Sequence, residues 1–433
     1  MPKNIGIIGL GYAGLTLTAA LARAGHTVHA VDAQPDVVEG LSQGRAHIYE
    51  PGVDEVLRAY AGSRILVDRQ LPRDGLDAAV ICVSTPVDPV TREPDLRNLA
   101  AAAADVAAWC APDTLVVVRS TVPIGTCRTV VLPILAAAWP SPMLAMAPER
   151  TIQGQALREL VELPQIVGGL DGPSLSVAVE VFQQLANVVV PVSNLETAEM
   201  VKLANNCHTD LIYAFGNELA LIAELHGVDP LEVIRGANAG YPRPDLSRPG
   251  YVGGGCLSKD PYLLQSSAPR GQTFLVGRAR ELNEHLPEHV AQRVVELVEE
   301  RRGSAVGARL AVLGWAFKGN PPTDDMRGTP IAAMMPRFRA AGMTVLGHDP
   351  MVSADAIRLH GGEPISIEKA FSDTDAVLII TDHPEYRTLQ IEDLVTYGRP
   401  AVVYDSWRIL DERALTSAGI HYAGLGYRTG AFA

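Results

Sequence analysis

The chain lacks several features that would settle its class at once. It has no run of about 18 or more apolar residues, so no membrane span is expected. Its first stretch, "MPKNIGIIGLGYAG", enters a strand-like segment directly and has no small-residue cleavage site, so it does not read as a signal peptide. There is no C-x-x-C pair. The five cysteines, Cys82, Cys110, Cys127, Cys207 and Cys256, are scattered and odd in number, which argues against a disulfide framework or a zinc site. The expected compartment is a reducing cytoplasm. Positive charge is in deficit: 36 Lys and Arg against 49 Asp and Glu leave a formal net charge of -13, which argues against nucleic acid or an anionic membrane as the main partner. An anionic small molecule remains open, because a few placed arginines and lysines create a local positive site.

What is present fits two or three domains, for 433 residues are enough to build several cores. "NIGIIGLGYAGLTLTAALARAGHTVHAVD" reads as strand, glycine turn, helix and second strand. "DAAVICVSTP" and "DTLVVVRSTVPIG" are further buried-strand runs. Alternating strands and helices imply a parallel sheet covered on both faces. From about Ser193 to Gly227 the chain reads as one long helix. Residues 240–255 are dense in Pro and Gly and read as a loop, and a second helix is expected from about Thr273 to Arg302. Strand signals return at "ARLAVLGWAFKGN", where "LAVLGWA" echoes "IGIIGLG". The expected fold is α/β: two doubly wound Rossmann-like domains, 1–193 and 304–433, joined by a helical central domain, 194–303.

"GLGYAG" spaces Gly9, Gly11 and Gly14 as G-x-G-x-x-G between a strand and a helix. In a dinucleotide site the first glycine permits the tight turn, the second lets backbone approach a pyrophosphate, and the third permits close helix–strand packing. Asp32 follows at the end of the next strand, where an acid accepts a ribose 2′-hydroxyl and repels a 2′-phosphate. NAD is therefore favoured over NADP, with FAD left open. Thr85, Pro86 and Thr121 end later strands, on the side where open sheets bind ligands.

Cys256 lies in "YVGGGCLSKDPY", between three glycines and a Lys-Asp pair. The loop alone leaves two readings. One is a small packing residue. The other is a nucleophile that adds to a carbonyl, so that oxidation continues past the aldehyde through a thioester. The glycines would give access, and Lys259 would lower the thiol pKa. The other four cysteines lack such a setting and read as structural. Lys202, Asn206, Tyr213 and Asn217 fall within about 60° of one another on the long helix, which suggests a lined pocket.

In this order "GLGYAG", "STVPIGT", "APERTIQGQALRELVELPQIVGG", "ETAEMVKLANN", "FGNELALIAELHGVD", "GGGCLSKDPY" and "GWAFKGNPPTDDMRGTP" run through nearly the whole chain. That series resembles the nucleotide-sugar 6-dehydrogenases, the UDP-glucose and UDP-N-acetylmannosamine dehydrogenase family. The resemblance implies an NAD-dependent four-electron oxidation of a sugar C6 alcohol to a carboxylate. It implies Cys256 as nucleophile, with Lys202, Asn206 and Asp260 as the polar groups around it. Glu149 is implied at thioester hydrolysis, and Thr121 is also expected among the catalytic residues. Tyr12, Ala13, Pro86 and Arg327 join the glycines, Asp32, Thr85 and Thr121 at the cofactor. Glu149, Arg150, Lys202, Asn206, Arg243, Tyr251, Gly253, Gly254, Lys318 and Arg408 are expected at the substrate, with Arg243 in the loop that reaches a neighbouring subunit in relatives.

UDP-glucose enzymes typically carry a second glutamate where this chain has Gln153, and "PER" followed by "ELVELPQIVGG" is more like the N-acetylhexosamine branch. Against that, "GGGCLSKDPY" departs from that branch's frequent "GGHCIPVDP". The favoured substrate is a UDP-N-acetylhexosamine such as UDP-N-acetylmannosamine, with UDP-glucose as the alternative. A catalytically silent nucleotide-sugar-binding regulatory protein is the alternative of another class. A cytoplasmic homodimer is expected, with no metal.

Overall fold

Successive residues of an extended strand point to opposite faces, so a strand that is apolar throughout must be covered on both sides. The computed structural model, which describes residues 2–242, 244–269, 272, 274–396 and 398–428, uses its apolar runs in this way. The chain divides into two compact units, Met1–Asn206 with Tyr262–Gln272, and Cys207–Pro261 with Thr273–Ala433.

In the first unit the strands are β1 (Asn4–Ile8), β2 (Thr27–Val31), β3 (Ile65–Asp68), β4 (Ala78–Ile81), β5 (Leu115–Val118), β6 (Leu144–Met146), β7 (Gln165–Gly169) and β8 (Val189–Val192). They form one sheet in the order β3-β2-β1-β4-β5-β6-β7-β8, and only the β6–β7 pair is antiparallel. Leu115 and Val117 enter one core with Ile5, Ile7 and Val80, while Val116 and Val118 enter the other with Ile8 and Ile81. Strand order reverses between β1 and β4, the crevice where open α/β sheets hold ligands.

The second unit repeats the plan with β9 (Arg309–Leu313), β10 (Thr344–His348), β11 (Glu363–Pro364), β12 (Ala376–Ile379), β13 (Val402–Asp405), β14 (His421–Gly424) and β15 (Tyr427–Arg428). Their order is β11-β10-β9-β12-β13-β14-β15, with only the last pair antiparallel. Leu310 and Val312 face one core, Ala311 and Leu313 the other. The weak echo between the two glycine turns has a physical counterpart. Gly9 and Gly314 both have positive φ (90° and 86°), and each donates its N–H to the end of the neighbouring strand, at Val31 O and His348 O (2.9 Å each). Asp32 Oδ2 then accepts the Leu10 N–H (2.7 Å), and Asp349 Oδ2 accepts the Trp315 N–H (2.5 Å).

The long helix runs Leu195–His226. Asn194 Oδ1 accepts the Thr197 N–H at its start (2.8 Å), and Gly227 takes positive φ (65°) just past its end. The second long helix is Leu275–Arg302, stopped by Gly303 at φ 88°. The loop expected over 240–255 gives way at Gly254, because Gly254–Leu257 is a helical turn followed by the helix Asp260–Ser266. Among the described residues no helix is long and apolar enough to cross a membrane.

Candidate functional site

At the end of β1 the three glycines serve three purposes. Gly9 needs its left-handed conformation for the turn. A Cβ on Gly14 would stand 1.9 Å from Gly9 O, so the helix Tyr12–Arg23 packs on the turn only with glycine there. A Cβ on Gly11 would meet nothing within 4 Å, and Gly11 is the N-cap of that helix with no side-chain cap. The first amide groups of the helix are thus left for an anion. Both carboxylate oxygens of Asp32 accept backbone N–H groups, from Leu10 (2.7 Å) and Gln34 (2.8 Å), so the acid is fixed at the edge of the crevice. Thr85, 3% exposed beyond β4, has a hydroxyl with no hydrogen-bond partner among the described residues. An open helix N-terminus, an anchored acid and an orphaned hydroxyl fit a dinucleotide. Ala13 and Pro86 adjoin these groups in the chain.

Tyr12 carries the turn further. Its hydroxyl donates to Glu50 Oε2 (2.5 Å), and burial together with that carboxylate raises its pKa above the usual phenol value. Glu50, itself buried, accepts the N–H groups of Gly154 and Ala156 (2.7 Å each), which ties the cofactor turn to the segment after Glu149.

Glu149 follows β6. Burial would raise its pKa, but the Arg119 guanidinium, the Thr151 amide and Lys202 hold it below the usual glutamate value. Arg119, 1% exposed, contacts Glu149 Oε2 through Nη2 (2.8 Å), while Thr151 N–H donates to Oε1 (2.6 Å). Arg119 Nη1 also donates to Ala147 O and Gln165 Oε1 (3.2 Å each). Lys202 is 6% exposed and makes no hydrogen bond or ion pair with a described residue. Its charge acts on the Glu149 carboxylate. Asn206 lies one turn further along the same helix, half-buried. Glu199, also on that helix, accepts the N–H groups of Gly125 (2.5 Å) and Cys127 (2.8 Å) and so pins the turn that follows Thr121. Arg150 is half-buried and donates to Pro164 O (3.2 Å).

In the second unit Cys256 is exposed, whereas Cys82, Cys110, Cys127 and Cys207 are buried. Burial pushes the thiols of Cys82 and Cys207 up to about 12 and that of Cys110 up to about 11. Burial and Glu199 also raise the Cys127 thiol well above its usual value. Nothing about the Cys256 turn is loose. A Cβ on Gly253 would stand 2.2 Å from Gly328 O, one on Gly254 2.8 Å from the Phe317 ring, and one on Gly255 2.9 Å from the Arg327 guanidinium. The glycines permit close packing by the segments that carry Lys318 and Arg327. Lys318 is half-buried beside Phe317, 5.6 Å from its ring centre.

Two buried charges hold the turn from beneath. Arg280 (2% exposed) pairs with Asp210 (1% exposed) at 2.6 Å and donates to Leu257 O (3.1 Å) and Val252 O (3.4 Å), one on each side of the cysteine. Asn283 Nδ2 donates to Asp210 Oδ1 (2.9 Å), and Asn217 Nδ2 donates to Asn283 Oδ1 (2.9 Å) and Gly250 O (3.0 Å). Asn217 is thus a buried support for the chain before the turn, not the pocket lining expected from its helix face. The Lys259 ammonium pairs with the fully buried Asp260 (2.7 Å). The Tyr251 hydroxyl is hydrogen-bonded to Ser406 Oγ (2.8 Å) within the core. Arg408, a non-glycine residue at φ 50°, pairs with Asp229 (2.6 Å) and lies over the Tyr427 ring (3.9 Å). Arg243 lies outside the described residues. Among the described residues no group of three His, Cys, Asp or Glu could hold a metal ion.

Arg119, Glu50, Glu199, Arg280 and Asp210 escape a reading of the sequence. Arg119 alone leaves a signal, a single cation closing the apolar strand "LVVV"; the others acquire meaning only through distant partners.

A glycine turn shaped for a dinucleotide at the edge of a doubly wound sheet fits an NAD-dependent oxidoreductase. Comparison with known families agrees. Residues 3–186 match the NAD binding domain, 196–285 the central domain and 311–412 the UDP binding domain of the UDP-glucose/GDP-mannose dehydrogenase family. The chain belongs to that family, and its cofactor is NAD. It is 34% identical over 430 residues to a UDP-N-acetyl-D-mannosamine dehydrogenase of Pyrococcus horikoshii, covering 98% of this chain and 99% of that one. It is 32% identical to an NDP-N-acetyl-D-galactosaminuronic acid dehydrogenase of Ralstonia nicotianae, covering 90% and 93%. Its fold is similar to the solved P. horikoshii enzyme with TM-score 0.88 and 33% identity, covering 98% and 99%. A UDP-glucose dehydrogenase of Pyrobaculum islandicum gives TM-score 0.83 and 28% identity, covering 99% and 98%.

Two outcomes follow for the first unit. Gly14→Ala overpacks the turn and is expected to cost roughly 1–3 kcal/mol in urea unfolding. Gly11→Ala is expected to leave stability unchanged while weakening NAD binding in titration calorimetry; equal unfolding losses in both would contradict the assignment. Glu149→Gln leaves Arg119 without its counter-charge, at a cost of about 3 kcal/mol near neutral pH. Because the folded Glu149 carboxyl is depressed, its contribution is present above the ordinary value of 4.5 and is lost as pH falls through the lower folded value. The stability gap between parent and variant therefore closes in acid, and a gap independent of pH would contradict the pairing.

Proposed function

We propose that the protein oxidises the C6 alcohol of a UDP-N-acetylhexosamine, with UDP-N-acetylmannosamine as the favoured case, to the uronate. The observation that carries the reading is the exposed Cys256 thiol on a rigid turn, alone among five cysteines in being accessible. The substrate branch is supported by the similarity to UDP-N-acetyl-D-mannosamine dehydrogenases over nearly the whole chain, and by Gln153 in place of a second glutamate. UDP-glucose is the second reading, favoured by the likeness to the P. islandicum enzyme.

Gly9, Gly11, Tyr12, Ala13, Gly14, Asp32, Thr85, Pro86 and Thr121 would hold NAD. Bound NAD supplies the electron acceptor for each of two oxidations. After the first, Cys256 Sγ adds to the aldehyde carbon and forms a C–S bond, while Lys202 and Asn206 stabilise the negative oxygen. After the second, the sugar is held as a thioester. Water attacks the acyl carbon, the C–S bond breaks and the thiolate is restored. Glu149, kept ionised by Arg119, takes the water proton with Asp260 assisting. One alcohol, one water and two acceptors give one carboxylate, two reduced acceptors and three protons.

Lys318, Arg408, Arg150, Arg243, Tyr251, Gly253 and Gly254 form the substrate assignment, and Arg327 stays with the cofactor set. The working division is 1–193, 194–303 and 304–433. A cytoplasmic homodimer belongs to the same reading. Its support is the apolar stripe of Ile212, Phe215, Ile222 and Leu225 on the long helix, exposed by 40%, 51%, 48% and 83%.

With UDP-N-acetylmannosamine the expected yield is two NADH per sugar consumed, with a higher kcat/KM than for UDP-glucose. Cys256→Ser is expected to bind the nucleotide sugar and form no uronate. One NADH per sugar with aldehyde as product, or undiminished uronate from the variant, would contradict the route.

A further inference from the structure

We propose that Arg327 is a positioning residue for Cys256: its guanidinium holds the thiol in the thiolate form and fixes the turn that presents it. The proposal rests on the nucleophile reading of Cys256 and adds the cation that the reading requires.

The geometry of the second unit carries it. Asp325 grips the Arg327 side chain, accepting from Nε at 3.0 and 3.1 Å and from Nη2 at 2.6 Å. Nη1 is left outside that grip, and it is the nitrogen that lies over the cysteine turn, 2.9 Å from where a Gly255 Cβ would stand. The backbone is fastened as well. Gly254 N–H donates to Arg327 O (3.0 Å), and Gly253 lies against Gly328 O so closely that no side chain fits between them. The charge is thus held against Gly255, the residue before Cys256, by contacts on both its side chain and its main chain.

The other charges near the turn are already matched. Lys259 pairs with Asp260 on the cysteine's own segment, and Arg280 pairs with Asp210 beneath it. Lys318, on the segment that packs against Gly254, lies beside the Phe317 ring. Asp325 lies beyond the guanidinium and keeps it in place. The electrostatic coupling between Arg327 and Cys256 supports the same pairing. A cation beside a thiol favours its ionised form. The requirement for glycine at 255 follows too, since any side chain there would push the guanidinium away.

The test is the pH dependence of Cys256 alkylation by iodoacetamide in the full-length enzyme without NAD or sugar, read by mass spectrometry of the Cys256 peptide. Leaving out NAD separates this role from any role of Arg327 toward the cofactor. Arg327→Gln removes the charge, Gly255→Ala keeps the charge and displaces it, and Arg327→Lys keeps a charge without the fork. The expected result is a thiol midpoint raised by about one unit in Arg327→Gln, with alkylation near neutral pH about tenfold slower. A smaller rise is expected in Gly255→Ala, and Arg327→Lys should fall between the parent and Arg327→Gln. Should Arg327→Gln fail to fold, the other two variants decide. Midpoints unchanged from the parent in the folded variants overturn the proposal. Uronate formation by Cys256→Ser would defeat the nucleophile reading separately and leave the thiol titration intact.

Discussion

A buried arginine held by a buried aspartate is the interaction on which the mounting of the Cys256 turn depends. Arg280 and Asp210 come from two long helices, and each is the other's buried counter-charge, 2.6 Å away. Once paired, the guanidinium has donors left for the carbonyls of Val252 and Leu257, which flank Cys256. The turn is therefore anchored from below by Arg280, from before by Asn217 at Gly250, and from above by the segments of Phe317 and Arg327. A thiol that must meet a carbonyl carbon in one orientation gains from such a mounting, because reaction geometry tolerates little slack. An accessible cysteine on a mobile loop would have the same composition and far less use.

The first unit applies the same logic to an anion site. Its sheet reverses order between β1 and β4, and the glycine turn, Thr85, the 120–126 turn and Glu149 all follow C-terminal strand ends. Three places on this edge are tied down by a group outside their own segment: Asp32 holds the amide after Gly9, Glu50 joins Tyr12 to residues 154–156, and Glu199 holds the turn at 125–127. The glycine–aspartate device returns at Gly314 and Asp349. Asp32 thus has a structural duty of its own, since a carboxylate in the matching place braces the turn in a unit that matches a UDP binding domain.

Much of this is legible in the residues, and what escapes does so for definite reasons. Strand-and-turn alternation reports local geometry, so both doubly wound sheets and the long helix can be read directly. The three glycines of "GLGYAG" carry fixed steric meanings and were readable for the same reason. The glycines at 253–255 mark close approach, but that Gly328, Phe317 and Arg327 make it is decided by distant segments that no local pattern names. Lys259 looked like the cation for Cys256 by adjacency, yet its neighbour Asp260 takes it. Asn217 shares a helix face with Lys202, but its amide is used by Gly250 and Asn283. Arg280, Glu50 and Glu199 act across dozens of residues, and no local pattern announces them.

The account comes down to a covalent bond between Cys256 sulfur and a half-oxidised sugar. The most direct measurement is mass spectrometry of the enzyme after rapid acid quench, during turnover of UDP-N-acetylmannosamine with NAD. A sugar acyl group on the Cys256 peptide, appearing before uronate and decaying as uronate forms, is the predicted result. Uronate accumulating while Cys256 stays unmodified at every time point would contradict it.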